Sequence, residues 1–237
     1  MKLRTIARLV RKDASLMRWP LAAWVAAALA SLALTALVGG GAGRSAGVTL
    51  ALNALIGVSF HIMLGPVLGE RERKTLAFVM SLPVTPGEAA VAKLLSAFAM
   101  FLIPATIAAT ALVWATPFDI PARMAASHQP LWSHILGTLG YYGLVLGAWI
   151  LFFSVALAAA IVTESVGWTV ATLTGLLFVF GNVVLQVLPT LHGLAHYLRA
   201  LGNGEPALPI TIACEAAGSV AVVGVVGLLQ RRKTSFV

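Results

Sequence analysis

The stretch SHILGTLGYYGLVLGAWILFFSVALAAAIV, residues 133–162, runs for 30 residues without an Asp, Glu, Lys or Arg. A helix rises 1.5 Å per residue, so about 20 apolar residues cross a hydrocarbon core of roughly 30 Å, and this run is ample. The apolar stretches 20–38, 48–69 and 89–115 precede it, and 166–188 and 208–229 follow. The spacing predicts an all-α integral membrane protein of six transmembrane helices, forming a single transmembrane domain over 1–237. Composition points the same way. The chain is 59% hydrophobic and 10% charged, with a mean hydropathy of +0.95, whereas soluble domains carry roughly 25% charged residues. A soluble fold could not hide that much apolar surface.

Orientation follows from the basic residues, which are retained on the cytoplasmic side of a membrane. With the amino terminus inside, that side holds Lys2, Arg4, Arg8, Arg11, Lys12, Arg18, Arg71, Arg73, Lys74, Lys93, Arg231, Arg232 and Lys233, against only Arg44, Arg123 and Arg199 outside. Both termini are therefore expected in the cytoplasm. The net charge of +8 would suggest nucleic acid if it formed one face. It is instead split into short clusters between apolar runs, which argues against that partner. Cys214 is the single cysteine, so neither an intrachain disulfide nor a thiolate metal site is available.

Residues 1–19 alternate basic and apolar side chains, with Leu3, Ile6 and Val10 on one helical face and Leu9 and Leu16 nearby. This predicts an amphipathic helix on the inner leaflet rather than a cleaved signal. Gly39 to Gly43 predict a flexible outer turn. Residues 70–88 form a cytoplasmic loop, in which the charged stretch from Glu70 to Lys74 runs into Leu76, Phe78, Val79 and Met80 before Pro83 and Pro86. A short helix with exposed hydrophobes there suits docking into a groove on another protein. Residues 190–207, with Leu191, Leu194, Ala195 and Leu198 at helical spacing, predict an outer re-entrant or interfacial segment.

No catalytic motif stands out. The chain has no Gly-x-x-x-x-Gly-Lys-[Ser/Thr] loop to cradle a nucleotide, no Gly-x-Ser-x-Gly elbow and no His-Glu-x-x-His zinc motif. No paired carboxylates or His and Asp clusters share a face for acid–base work. His192 and His196 are four apart but lack a third ligand. We expect no catalytic and no metal site in this chain.

Polar residues within the spans are the candidates for function, because they are costly in lipid and so face a bundle interior, a partner or water. Asn53, Gly57 and His61 repeat every four residues in the second span, and Asn182 and Gln186 do so in the fifth. Glu215 is the one carboxylate clearly inside an apolar run. These groups can line a translocation path, or they can hold helices together by hydrogen bonds. Small residues four apart, Gly143 with Gly147 and Ala171 with Gly175, permit close helix approach but are common in any bundle.

Together these features resemble the membrane subunits of ABC transporters of the type-2 exporter class over essentially the full chain. The most specific part is GERERKTLAFVMSLPVT, residues 69–85, followed by Glu88 and then Lys93-Leu94-Leu95. In that family the matching stretch is the coupling region that seats on the ATPase. The resemblance implies a permease subunit of the bacterial cytoplasmic (inner) membrane, working as a dimer, expected to be a homodimer, with two copies of a separate ATP-binding subunit. ATP and Mg would be bound by that partner, and this chain would hold no cofactor and would not itself be an enzyme. By position Glu70, Arg71, Arg73, Lys74, Leu76, Phe78, Met80, Leu82 and Pro83 would form the ATPase contact. Asn53, His61, Asn182, Gln186 and Glu215 would be pathway-lining candidates. The cytochrome c maturation permease, a heme-related ABC subunit, is similar in length and in its Leu-Pro and Ala-Lys-Leu pattern. A non-transporting membrane assembly or sensory protein could share the topology.

Overall fold

Basic and apolar residues at helical spacing build α1, Leu3–Leu16, and the chain turns at the buried Met17 into α2, Arg18–Leu37. The computed structural model describes residues 3–38, 40–68, 86–115, 131–163, 165–190 and 207–232, and among these the regular structure is entirely helical. The further elements are α3, Gly40–Ile62, continued by a π-helix, Met63–Leu68; α4, Pro86–Ala115; α5, Leu131–Thr163; α6, Val166–Thr190; and α7, Ala207–Arg232.

Among the described residues four helical stretches are long and apolar enough to cross a membrane: Arg18–Leu37, Gly41–Gly65, Val91–Ala115 and Thr138–Thr163. The expected fifth and sixth spans are helical, as α6 and α7, with described apolar stretches of Val166–Phe178 and Ala213–Val226. The protein is thus an all-α, membrane-embedded chain. In lipid the backbone must satisfy its own hydrogen bonds, and a helix does so within one segment. Side-chain hydroxyls follow the same rule by bonding back to their own helix. Ser31 Oγ donates to the carbonyl of Ala28 at 2.7 Å, Ser59 Oγ to that of Leu55 at 2.7 Å and Ser154 Oγ to that of Ile150 at 2.7 Å.

One boundary differs from its expectation. The glycine run reads as a flexible turn, with the second span beginning at Val48, yet α3 is helical from Gly40. The reason is close packing against α2. A Cβ on Gly43 would overlap the Val38 carbonyl oxygen, and one on Gly47 would overlap Thr35 Cγ2 and sit 2.9 Å from the Ser31 carbonyl oxygen. Only glycine lets the start of α3 lie against the end of α2, and that contact overrides the weak helix propensity of the run.

Helix α4 is the centre of the bundle and touches α1, α2, α3, α5 and α7. It begins at Pro86, where the missing N–H needs no partner, and carries the buried Pro104 in its interior. Against α5 it stacks Phe101 on Phe153, with centroids 4.1 Å apart and rings within 2° of parallel, while Phe98 meets Phe153 edge-on at 5.4 Å. Such packing, rather than exclusion from water, holds helices together in lipid.

Candidate functional site

The segment 69–85, with all nine residues assigned to ATPase contact, lies outside the described residues, as does the expected outer segment 190–207 except for Thr190, which ends α6, and Ala207, which begins α7. What is described is how the chain on either side of 69–85 is held. On the far side, α1 lies against α4. Asp13 is only 3% exposed, and the buried Ser96 donates its Oγ proton to Asp13 Oδ2 at 2.9 Å. The same hydroxyl lies 3.1 Å from the Lys93 carbonyl oxygen, so its proton is shared. Lys12 Nζ stands 3.6 Å from Asp13 Oδ1. An acidic side chain can be buried here because a donor and a cation reach it.

On the near side, the corner between α1 and α2 meets the π-helix. A Cβ on Gly65 would lie 3.3 Å from Sδ of the buried Met17, so the absence of a side chain at 65 lets the thioether seat there. The π-helix also contains Pro66, whose missing N–H breaks the regular ladder. A single corner, residues 13–17, therefore grips both the helix that enters 69–85 and the helix that leaves it. Just beyond, Trp19 is 75% exposed with the Arg18 guanidinium 5.6 Å from its ring centroid, a pairing suited to a membrane–water boundary.

The pathway candidates separate. Asn53 and His61 both lie on the exposed side of α3, and the Asn53 amide donates to the Thr49 carbonyl of its own helix at 2.9 Å. Gly57 does not complete an open polar stripe with them, because it is covered by the Trp24 ring of α2. Asn182 and Gln186 fall four apart in α6, and their side chains lie outside the described residues. Glu215 on α7 rests against Gly147 of α5, where a Cβ would overlap its Oε2, and that oxygen has no hydrogen-bond partner among the described residues. No ion pair joins Glu215 to His61 among the described residues. The two small-residue pairs also diverge, for Gly147 is a contact point while no described residue comes within 4 Å of where a Cβ on Gly175 would stand.

Two features were missed by sequence reasoning. Asp13 had a signal, as the one acid within a basic amphipathic helix, where burial explains what surface charge does not. Gly147 had none, since nothing in its spacing says which partner approaches it. Among the described residues no group of three or more His, Cys, Asp or Glu side chains is placed to hold a metal ion. Comparison with protein-family models, curated proteins and solved structures gave no match.

Proposed function

We propose that the chain is the transmembrane permease subunit of an ATP-driven exporter of the type-2 ABC class. On this reading six spans cross the bacterial cytoplasmic membrane with both termini inside, two copies form the pathway, and each binds a separate ATPase subunit that holds ATP and Mg. The support is the sequence of 69–85 taken with the corner at 13–17. A segment that receives force from a motor is useful only if its ends are mechanically tied to the spans. Here Met17 against Gly65 and Asp13 on Ser96 tie the corner between α1 and α2 to the helices on either side of the segment. A displacement of the segment would move α1, the end of α3 and the start of α4 together, and α4 would carry it to the helices it touches.

The test is co-expression with ATP-binding subunits encoded beside the chain, followed by affinity purification in mild detergent. A bound ATPase is expected, and Leu76→Asp with Phe78→Asp should remove it while leaving the chain folded. Failure of the wild-type chain to retain any such subunit would discard the permease reading and leave the membrane fold standing.

A further inference from the structure

Glu215 lies eight residues beyond Ala207, the first residue of α7, about 12 Å along the helix axis. Its Oε2 is buried without a partner among the described residues. The cause lies on α5, where Gly147 presents bare backbone to that oxygen, and one turn on Leu151 Cδ1 fills the place beside Gly218, 3.2 Å from where a Cβ would stand. The contacts 147 with 215 and 151 with 218 show the two helices running in the same direction. Ser219, four residues further along α7, donates its hydroxyl proton to the Glu215 main-chain carbonyl at 2.9 Å.

Among the described residues no cation stands in for a partner. Helix α7 packs against α5 and α4. On α5, the Tyr142 hydroxyl donates to the Thr106 carbonyl of α4 at 3.2 Å, while Tyr141 and His134 lie six and thirteen residues before Gly147, about 9 and 20 Å along the helix. On α4, the level of Gly147 falls between Thr106, which meets Tyr142, and Phe101, which meets Phe153. Lys93 is eight residues beyond Phe101 and Glu88 thirteen, about 12 and 20 Å further toward the start of α4. On α7 itself Cys214 is exposed, and Arg231 and Arg232 lie sixteen or more residues on, about 24 Å away. An ionised carboxylate with one oxygen buried, and with neither donor nor counter-charge among the described residues, is disfavoured, whereas the neutral acid is not.

We propose that Glu215 is a proton-binding site of the membrane domain, occupied while its Oε2 rests in the Gly147 notch and emptied when α5 and α7 part. On release the O–H bond breaks, its electron pair stays on the carboxylate, and the proton passes to water entering the gap. The site stands whether or not the chain is an exporter subunit, since it rests on the α5–α7 contact alone.

Infrared difference spectra of the full-length chain in liposomes, wild type minus Glu215→Gln, read the protonation state directly. A neutral-acid C=O band that fades as pH is raised is expected. Gly147→Ala should move the midpoint of that fading about one pH unit or more lower, a tenfold loss of proton affinity, because the added methyl expels the carboxyl group from the notch. A carboxylate band in place of the acid band at about pH 6, or a midpoint unmoved by Gly147→Ala, overturns the site. Should Glu215→Gln fail to fold, dicyclohexylcarbodiimide labelling of the wild type reads the same protonation state. That apolar reagent takes up protonated carboxyl groups, so modification of Glu215 that declines with rising pH is expected, and its absence overturns the proposal.

Discussion

Ser96 on α4 donates a hydrogen bond to Asp13 on α1 at 2.9 Å, and Asp13 is the only charged side chain among the buried described residues. The first helix is thereby fastened to the centre of the bundle by a charge-assisted contact.

Removing the carboxylate should be costly. Asp13→Ala is expected to lower stability by about 1–3 kcal/mol, the range for hydrogen bonds to charged groups and for orphaned buried donors. Ser96→Ala should cost less, and the double variant should cost less than the sum of the two, with a coupling near 1 kcal/mol. Thermal unfolding of the three purified variants in detergent measures this, and strict additivity would show that the two side chains do not act on one another.

The contact between Gly57 and the Trp24 ring sets a second expectation. Gly57→Leu places atoms where the indole sits, so α2 and α3 are forced apart and the purified chain should lose monodispersity on size exclusion. Trp24→Ala added to Gly57→Leu should restore it in part, because the space that the leucine needs is then vacant.

Phe153 receives one ring stacked on it and another edge-on. In a soluble core Phe→Ala costs about 3–5 kcal/mol. In lipid the water-transfer part of that figure falls away and lost packing remains. Phe153→Ala should therefore destabilise by less than that range and by more than Phe153→Leu, in denaturation followed by tryptophan fluorescence.

The long apolar helices were legible because crossing a membrane needs a length and a composition that few other structures require, and α2, α4 and α5 fall within a few residues of their expected limits. The start of α3 was not, since Gly39 to Gly43 read locally as a flexible turn ahead of a span from Val48, whereas the chain is helical from Gly40 through the approach to Val38, Ser31 and Thr35. The polar candidates were legible as a set but not in their roles. Helical spacing puts Asn53, Gly57 and His61 along one narrow stripe, yet only the neighbouring helix decides that Gly57 is covered by Trp24. Glu215 was legible by its charge alone, while the Gly147 notch that receives it depends on the register between α5 and α7, which no single-helix pattern contains.

Asn53 and His61 offer a way to separate transport from packing. Both are exposed on α3, so Asn53→Leu and His61→Leu should change stability by no more than the roughly 0.5 kcal/mol usual for such sites. If they line the pathway, transport-coupled ATP turnover of the reconstituted complex should nevertheless fall severalfold. A drop in thermal stability without an effect on turnover would assign them to helix contacts.

The close fit of Gly43 and Gly47 beneath the end of α2 has a consequence for how the chain is made. With α3 helical from Gly40, scarcely more than Val38 and the glycine after it separate the two helices. They are suited to entering the bilayer during synthesis as a preformed hairpin rather than one after the other. An epitope or protease site spliced into that join would pry the hairpin open instead of reporting on its sidedness, so topology reporters belong elsewhere in the chain.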